Sequence, residues 1–242
     1  MIDTNRLIEY AGQMEIALSG EAAEKCARYA VLLAEWNQKM NLTAITDPEG
    51  MLVKHFLDSL SILPLLPEGE FSLIDVGTGA GFPGVPLALA RPDIRLTLLD
   101  SLQKRLTFLQ ELCGELGIKA TLIHARAEEA GRKPGLREDF DVATARAVAA
   151  LPVLAEYCLP FVRPGGRFVA MKGPEAQQEL KQAGRAISLL GGRIAGQKAL
   201  ELPDDPNYTG ERMQRRLILI DKMNATPQKY PRPSAKIAKQ PL

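Results

Sequence analysis

Metal and disulfide chemistry have little to work with in this chain of 242 residues, which holds 3 cysteines and 2 histidines. Cys26, Cys113 and Cys158 are odd in number, widely spaced and never form a CxxC pair, and His55 and His124 stand apart. That spacing supports neither a disulfide framework nor a zinc site, and the three thiols are expected to be buried packing. Long apolar runs are also missing. Every hydrophobic stretch is broken by proline, glycine or charge well short of the ~20 residues a membrane span needs. The opening MIDTNRLIEY lacks the basic and apolar regions of a secretion signal, so a cytosolic protein is expected. Tryptophan occurs once, at Trp36, on the inner face of a helical pattern, where it reads as core and not as a platform for stacked bases.

The net charge of +1 conceals an uneven distribution. Residues 1–70 carry 5 basic and 11 acidic side chains, whereas residues 210–242 carry 8 and 2, so the basic charge gathers at the C-terminal end. A tail with Tyr230 among Lys229, Arg232, Lys236 and Lys239 has the composition to contact phosphates, and is also compatible with a solvated terminus.

The first seventy residues carry helical spacing. EAAEKCARYAVLLAEWNQKM places Cys26, Tyr29, Ala30, Leu33 and Trp36 on one face, with Ser19 or Gly20 as a cap. TDPEGMLVKHFLDSLSIL opens with Asp47 and Pro48, an N-cap and N1 pair, and predicts one helix with His55 on its apolar face, a place more typical of a core histidine. Asn41 and Thr43 lie in a short turn between the two. From residue 71 the pattern becomes short apolar runs at 71–75, 95–100, 120–125, 140–145 and 166–172, alternating with helices near 84–91, 102–117, 149–158 and 174–190. That alternation predicts a doubly wound α/β fold with a parallel sheet. Two further runs, near 193–202 and at 215–222, have no helix between them and should end the sheet antiparallel. The expected organisation is a helical extension over 1–70, the α/β domain over 71–222 and a basic tail over 223–242.

The segment LIDVGTGAGFPG, residues 73–84, then falls at the turn between the first strand and first helix, where such sheets bind nucleotide-like ligands. Gly77, Gly79 and Gly81 follow GxGxG, a departure from the GxGxxG of dinucleotide sites that weakens the case for NAD or FAD. Asp100 closes the second strand 23 residues after Gly77, where a carboxylate can accept hydrogen bonds from two ribose hydroxyls. With Asp75 before the turn and Asp100 after it, the pattern favours a nucleoside site.

DVGTGAG resembles the first motif of class I S-adenosylmethionine-dependent methyltransferases. WNQKMNLTAITDP, VKHFLDSL, DVGTGAGFPGVPLAL, LLDSLQKR, ATARAVA, GGRFVAMKG and the terminal KYPR carry a closer resemblance, from about residue 30 to the end, to the ribosomal RNA small subunit methyltransferase G family, also called glucose-inhibited division protein B. The resemblance implies a Rossmann-like seven-stranded, mostly parallel sheet with an antiparallel last strand. It implies methyl transfer from S-adenosylmethionine to N7 of a guanosine in 16S ribosomal RNA, free or in the small subunit. Nothing in the sequence requires more than a monomer, and its composition calls for no metal or membrane. By position the resemblance assigns the cofactor to Gly77, Phe82, Ala127, Glu128 and Arg146, with Glu128 meeting the adenine amino group; Asp75, Gly79, Gly81 and Asp100 join them from the turn and the strand end as candidate cofactor residues. Lys54, His55, Arg126, Lys172, Lys229 and Arg232 are the candidates for holding RNA, with Arg146 and Lys172 also positioning the target. The first thirty residues and the 130–140 loop resemble the family least.

Guanine N7 already presents a lone pair, so attack on a sulfonium methyl needs no base and no covalent intermediate, and alignment should do most of the work. No NPPY-like motif for an exocyclic amine is present, and no cysteine has the PC or TC context of a carbon-5 pyrimidine enzyme. The alternatives are a class I methyltransferase acting on a small molecule or a protein, and a non-enzymatic scaffold, which the intact DVGTGAG and Asp100 disfavour.

Overall fold

In the computed structural model, which describes residues 1–203 and 213–242, the apolar runs from residue 71 onward assemble into one seven-stranded sheet. The strands are β1 (Phe71–Val76), β2 (Ile94–Asp100), β3 (Ala120–His124), β4 (Phe140–Arg146), β5 (Val162–Lys172), β6 (Gly192–Glu201) and β7 (Gln214–Lys222). Their order is β3-β2-β1-β4-β5-β7-β6, with β1 to β5 parallel and β7 antiparallel to both β5 and β6. The direction of winding reverses between β1 and β4. Ligands of open α/β sheets bind at such a switch point, beyond the carboxyl ends of the strands.

Alternate residues of each strand feed two cores. Leu73, Leu96, Leu98 and Val142 pack on one face with α1 (Thr4–Gln13), α2 (Gly20–Met40), α5 (Gly84–Ala90) and α6 (Gln103–Leu116). Ile74, Val76, Leu99 and Ala143 pack on the other with α7 (Ala127–Ala130), α8 (Leu151–Cys158) and α9 (Ala176–Leu189). Burial on both faces explains why these strands read as continuous apolar runs and not as alternating ones. The N-terminal helices share the first of these cores with the sheet. Asp3 caps α1 by accepting from the Asn5 and Arg6 N–H groups, Ser19 caps α2, and Asn41 ends α2 in the left-handed region at φ 48°. Cys26, Cys113 and Cys158 are all buried and unpaired, as expected.

The helix predicted over TDPEGMLVKHFLDSLSIL is interrupted. A first α turn, α3 (Pro48–Met51), is capped by Asp47 and passes into a π-helical stretch, Leu52–Leu57, before α4 (Asp58–Leu60). No residue type marks a π turn in advance, and such turns gather at functional positions. Here the carbonyl of Lys54, within that stretch, accepts a hydrogen bond from Arg146 at 3.1 Å. Beyond β7 the basic segment does not trail into solvent: Tyr230 and Ile237 are buried, and α10 (Ser234–Lys239) closes the fold against α8.

Candidate functional site

The glycine turn is built by its neighbours. Leu99 at the end of β2 accepts from the N–H groups of Gly77 and Thr78 at 2.8 and 3.1 Å. Asp75, fully buried beneath the turn, accepts through Oδ2 from Thr78 Oγ1 at 2.7 Å and from the Gly84 N–H at 2.9 Å, tying both ends of the loop to β1. Its Oδ1 is buried with no partner, and burial pushes the carboxyl up to about 6. Gly77 and Gly81 have positive φ, 70° and 101°, where any side chain is strained. A Cβ on Gly81 would stand 2.7 Å from Tyr29 Oη, and one on Gly77 would stand 2.9 Å from Val148 Cγ2. Gly79, also at positive φ, faces open space, and its N–H donates to Asp100 Oδ2 at 2.9 Å.

A cleft of about 310 Å³ opens beside this turn, at the carboxyl ends of β1, β2 and β4. Gly77, Asp100, Arg126, Ala127 and Glu128 line it, so the structure brings together five residues that the sequence proposed. Asp100 is only 2% exposed; besides Gly79 it accepts from the Leu102 N–H at 2.9 Å, and the Arg105 guanidinium stands 3.2 Å away. Glu128 is buried in the opposite wall. Sequence reading missed Ser101, Arg105, Val148 and Tyr157. Ser101 and Arg105 lie within LLDSLQKR and were within reach; Tyr157 arrives from α8 on the far side of the sheet, which no spacing foretells. Ala147, also in the wall, holds a left-handed φ of 55° without being glycine, a strained conformation of the kind that collects at functional sites.

Asp75, Gly79, Gly81, Phe82 and Arg146 are not on the cleft surface. Asp75 and Gly81 shape the turn from beneath and behind. Phe82 belongs to a second cluster, its ring stacked on Tyr29 at 4.9 Å and on His55 at 4.5 Å, with the Arg146 guanidinium 5.1 Å from its centroid. Asp58, fully buried, accepts from Arg146 Nη1 at 2.9 Å and from Arg215 Nε at 2.8 Å, one carboxylate oxygen for each. His55 Nε2 meets Thr43 Oγ1 at 2.8 Å, and Asn37 fixes the backbone of Leu42 and Thr43. Burial first, and the Arg146 charge second, push His55 down to about 3. It is therefore neutral near pH 7, and the expectation that it holds a phosphate by charge is corrected to a packing role beside Phe82.

Two further RNA candidates are engaged within the protein. Lys172 Nζ donates to the Ala149 carbonyl at 2.9 Å and pairs with Glu179 at 2.8 Å, while Glu179 accepts from the Leu151 N–H at 2.6 Å. The lysine thus props the loop that carries Ala147 and Val148. Arg232 forms a forked ion pair with the fully buried Glu156, Nη2 to Oε2 at 2.6 Å and Nε to Oε1 at 2.8 Å. A guanidinium so committed is not a free phosphate ligand. Arg126 and Lys229 stay exposed, and Lys54 is half-buried.

A Rossmann-like sheet in the order 3-2-1-4-5-7-6, with a glycine turn and an acid closing β2 around one cleft, defines a class I methyltransferase fold. Among solved structures, precorrin-6y C5,15-methyltransferase from Geobacter metallireducens GS-15 superposes with a TM-score of 0.52 at 15% identity, covering 74% of this chain and 90% of that one. That likeness concerns the fold alone. The profile of the rRNA small subunit methyltransferase G family matches residues 22–203. Proteins called ribosomal RNA small subunit methyltransferase G are similar nearly end to end: that of Acetivibrio thermocellus is 48% identical, covering 98% of this chain and 95% of its own, and that of Geobacillus thermodenitrificans is 50% identical, covering 94% of each. The chain belongs to the rRNA small subunit methyltransferase G family.

Proposed function

We propose that the protein transfers the methyl group of S-adenosylmethionine to N7 of a guanosine in 16S ribosomal RNA. The observation that carries the cofactor half is Asp100, a nearly buried carboxylate at the strand end that lines the cleft beside Gly77 and is held by the Gly79 N–H. The residues present suit the group. Asp100 and Glu128 are acceptors matched to ribose hydroxyls and an adenine amine, and at Gly77 the backbone approaches Val148 where a Cβ would collide. When bound, S-adenosylmethionine supplies an electrophilic methyl on a positively charged sulfur. The chain's part is to align that methyl with the N7 lone pair, with no side chain needed as a base.

The sulfonium loses its charge as the purine gains one, so cations belong on phosphates and not against the base. Arg146 meets this constraint in part, because Asp58 shares its charge between Arg146 and Arg215 and the Phe82 ring lies against the guanidinium. Among the described residues, exposed Arg126, Lys229, Lys236 and Lys239 are groups suited to meet phosphates.

Labelled S-adenosylmethionine, incubated with small subunits and with RNA extracted from cells lacking the enzyme, tests the reading. The expected product is 7-methylguanosine identified by mass. Label in protein or metabolite, with none in RNA, would move the function to the alternative substrates. Asp100→Ala is expected to weaken cofactor binding about tenfold or more, a factor worth ~1.4 kcal/mol, and unchanged equilibrium binding would remove the carboxylate from its role.

A further inference from the structure

The outer wall of the cleft is made by two elements that no sheet hydrogen bond joins. Ala127 and Glu128 sit on α7, a helix of four residues that follows the edge strand β3, and Tyr157 sits on α8. So short a helix does not hold itself in water. It packs directly on α8 and buries Ala130 in the core, and the C-terminal segment ties its end to the rest of the fold. Arg137 Nη1 donates to the Gly131 carbonyl at the end of α7 (3.2 Å) and to the Tyr230 carbonyl (2.9 Å), while its Nη2 donates to the Thr226 carbonyl (2.6 Å). Arg132 donates to the carbonyls of Pro231 at 2.8 Å and Lys229 at 3.0 Å. A Cβ on Gly131 would lie 3.3 Å from Pro160 and 3.5 Å from Pro231, so the segment is seated closely on the end of α7.

The same segment grips the other wall. Glu156, the residue before Tyr157, receives the backbone N–H of Arg232 at 2.8 Å together with its forked guanidinium. Tyr157 feels both walls: burial raises its phenol, and the carboxylates of Glu128 and Glu156 raise it further.

We infer that residues 226–232 act as a strap that sets the separation of α7 and α8, with Arg232 and Glu156 as a positioning pair for the cofactor cleft. Neither residue touches the cleft. Their effect reaches the cofactor through Tyr157 on one side and through Ala127 and Glu128 on the other. The inference rests on the cleft being the S-adenosylmethionine site.

The test measures S-adenosylhomocysteine affinity, KM for S-adenosylmethionine, RNA affinity against salt, and thermal midpoint, on the full chain and on Arg232→Ala, Arg232→Lys and Arg132→Ala. The expected result for Arg232→Ala is a cofactor KM raised about tenfold, the scale of a sub-ångström to ångström misplacement, with kcat at saturating cofactor and the salt slope of RNA binding within about twofold of wild type. Arg232→Lys should recover part of the loss, because it keeps the charge without the fork. Leu7→Ala, in the buried face of α1, serves as the control for general destabilisation. The strap is overturned if Arg232→Ala binds cofactor as wild type does while RNA binding falls, or if Leu7→Ala, at an equal loss of midpoint, raises the cofactor KM as much. Where Arg232→Ala does not fold, Arg232→Lys and Arg132→Ala carry the same comparison. Failure of the wild-type protein to bind S-adenosylhomocysteine would instead overturn the reading of the cleft itself.

Discussion

The two ends of the chain are attached to the same sheet by different physics. The N-terminal helices are held chiefly by apolar contact, with Arg28 paired to Glu115 at the surface: Tyr29 is fully buried, stacks on Phe82, meets Phe56 edge-on and donates its hydroxyl to the Ala80 carbonyl inside the glycine turn. The C-terminal segment is held by charge-assisted hydrogen bonds, from Arg132 and Arg137 to its carbonyls and from its own Arg232 to Glu156. The acidic end backs the turn from behind, and the basic end ties the cleft walls from outside. The lesson is that a basic composition does not by itself make a nucleic-acid arm: in this tail the arginine is spent on an internal carboxylate, and the exposed lysines alone remain available to phosphate.

The largest expected effect lies at the N-terminal attachment. Tyr29→Ala removes a fully buried ring and should cost ~3–5 kcal/mol in denaturant unfolding. Cofactor affinity should fall with it, because the turn loses its support. A variant that unfolds at the wild-type midpoint would break the comparison.

A pH profile separates the two ends. Lys222 is buried, donates to Thr226 Oγ1 and the Leu159 carbonyl, and lies 3.1 Å from Glu138, with Arg137 also nearby. Burial pushes it down from 10.5 to about 8, so between those values the unfolded chain binds a proton that the folded chain has released. This group's contribution to stability therefore rises as pH climbs from about 8 to 10.5, by about 3 kcal/mol in all. Lys222→Met should lose that rise, measured as unfolding free energy against pH. An unchanged profile would mean that Lys222 stays charged in the fold.

The smallest effect concerns the exposed lysines. Lys236→Ala with Lys239→Ala should lower the salt slope of RNA binding by about 1 to 2 and leave cofactor affinity unchanged. A fall in cofactor affinity equal to that of Arg232→Ala would erase the distinction between strap and phosphate contacts.

Much of this was legible in the chain. The five parallel strands stand within two residues of their expected starts, except β5, which begins at Val162 and not near 166, because RPGG between its halves reads as a turn. Gly77, Asp100, Ala127 and Glu128 meet at one cleft, since each sits at a strand end that the βα alternation already located. The π-helical stretch, the Asp58 bridge between Arg146 and Arg215, and Tyr157 in the cleft wall were not legible. Each depends on segments distant in sequence meeting in space, and the partners are often backbone carbonyls, which every residue possesses.

By itself, then, the sequence determined what is local and periodic: the order of strands and helices, the glycine turn that only small residues permit, the acid at the end of β2, and the motifs of the family. The tertiary structure decided which charges are free. His55, Lys172 and Arg232 look alike on paper with Arg126 and Lys229, yet burial neutralises the first and internal partners engage the next two. Charge is written in the sequence, but its availability depends on desolvation and on partners, and both are set only when the chain has folded.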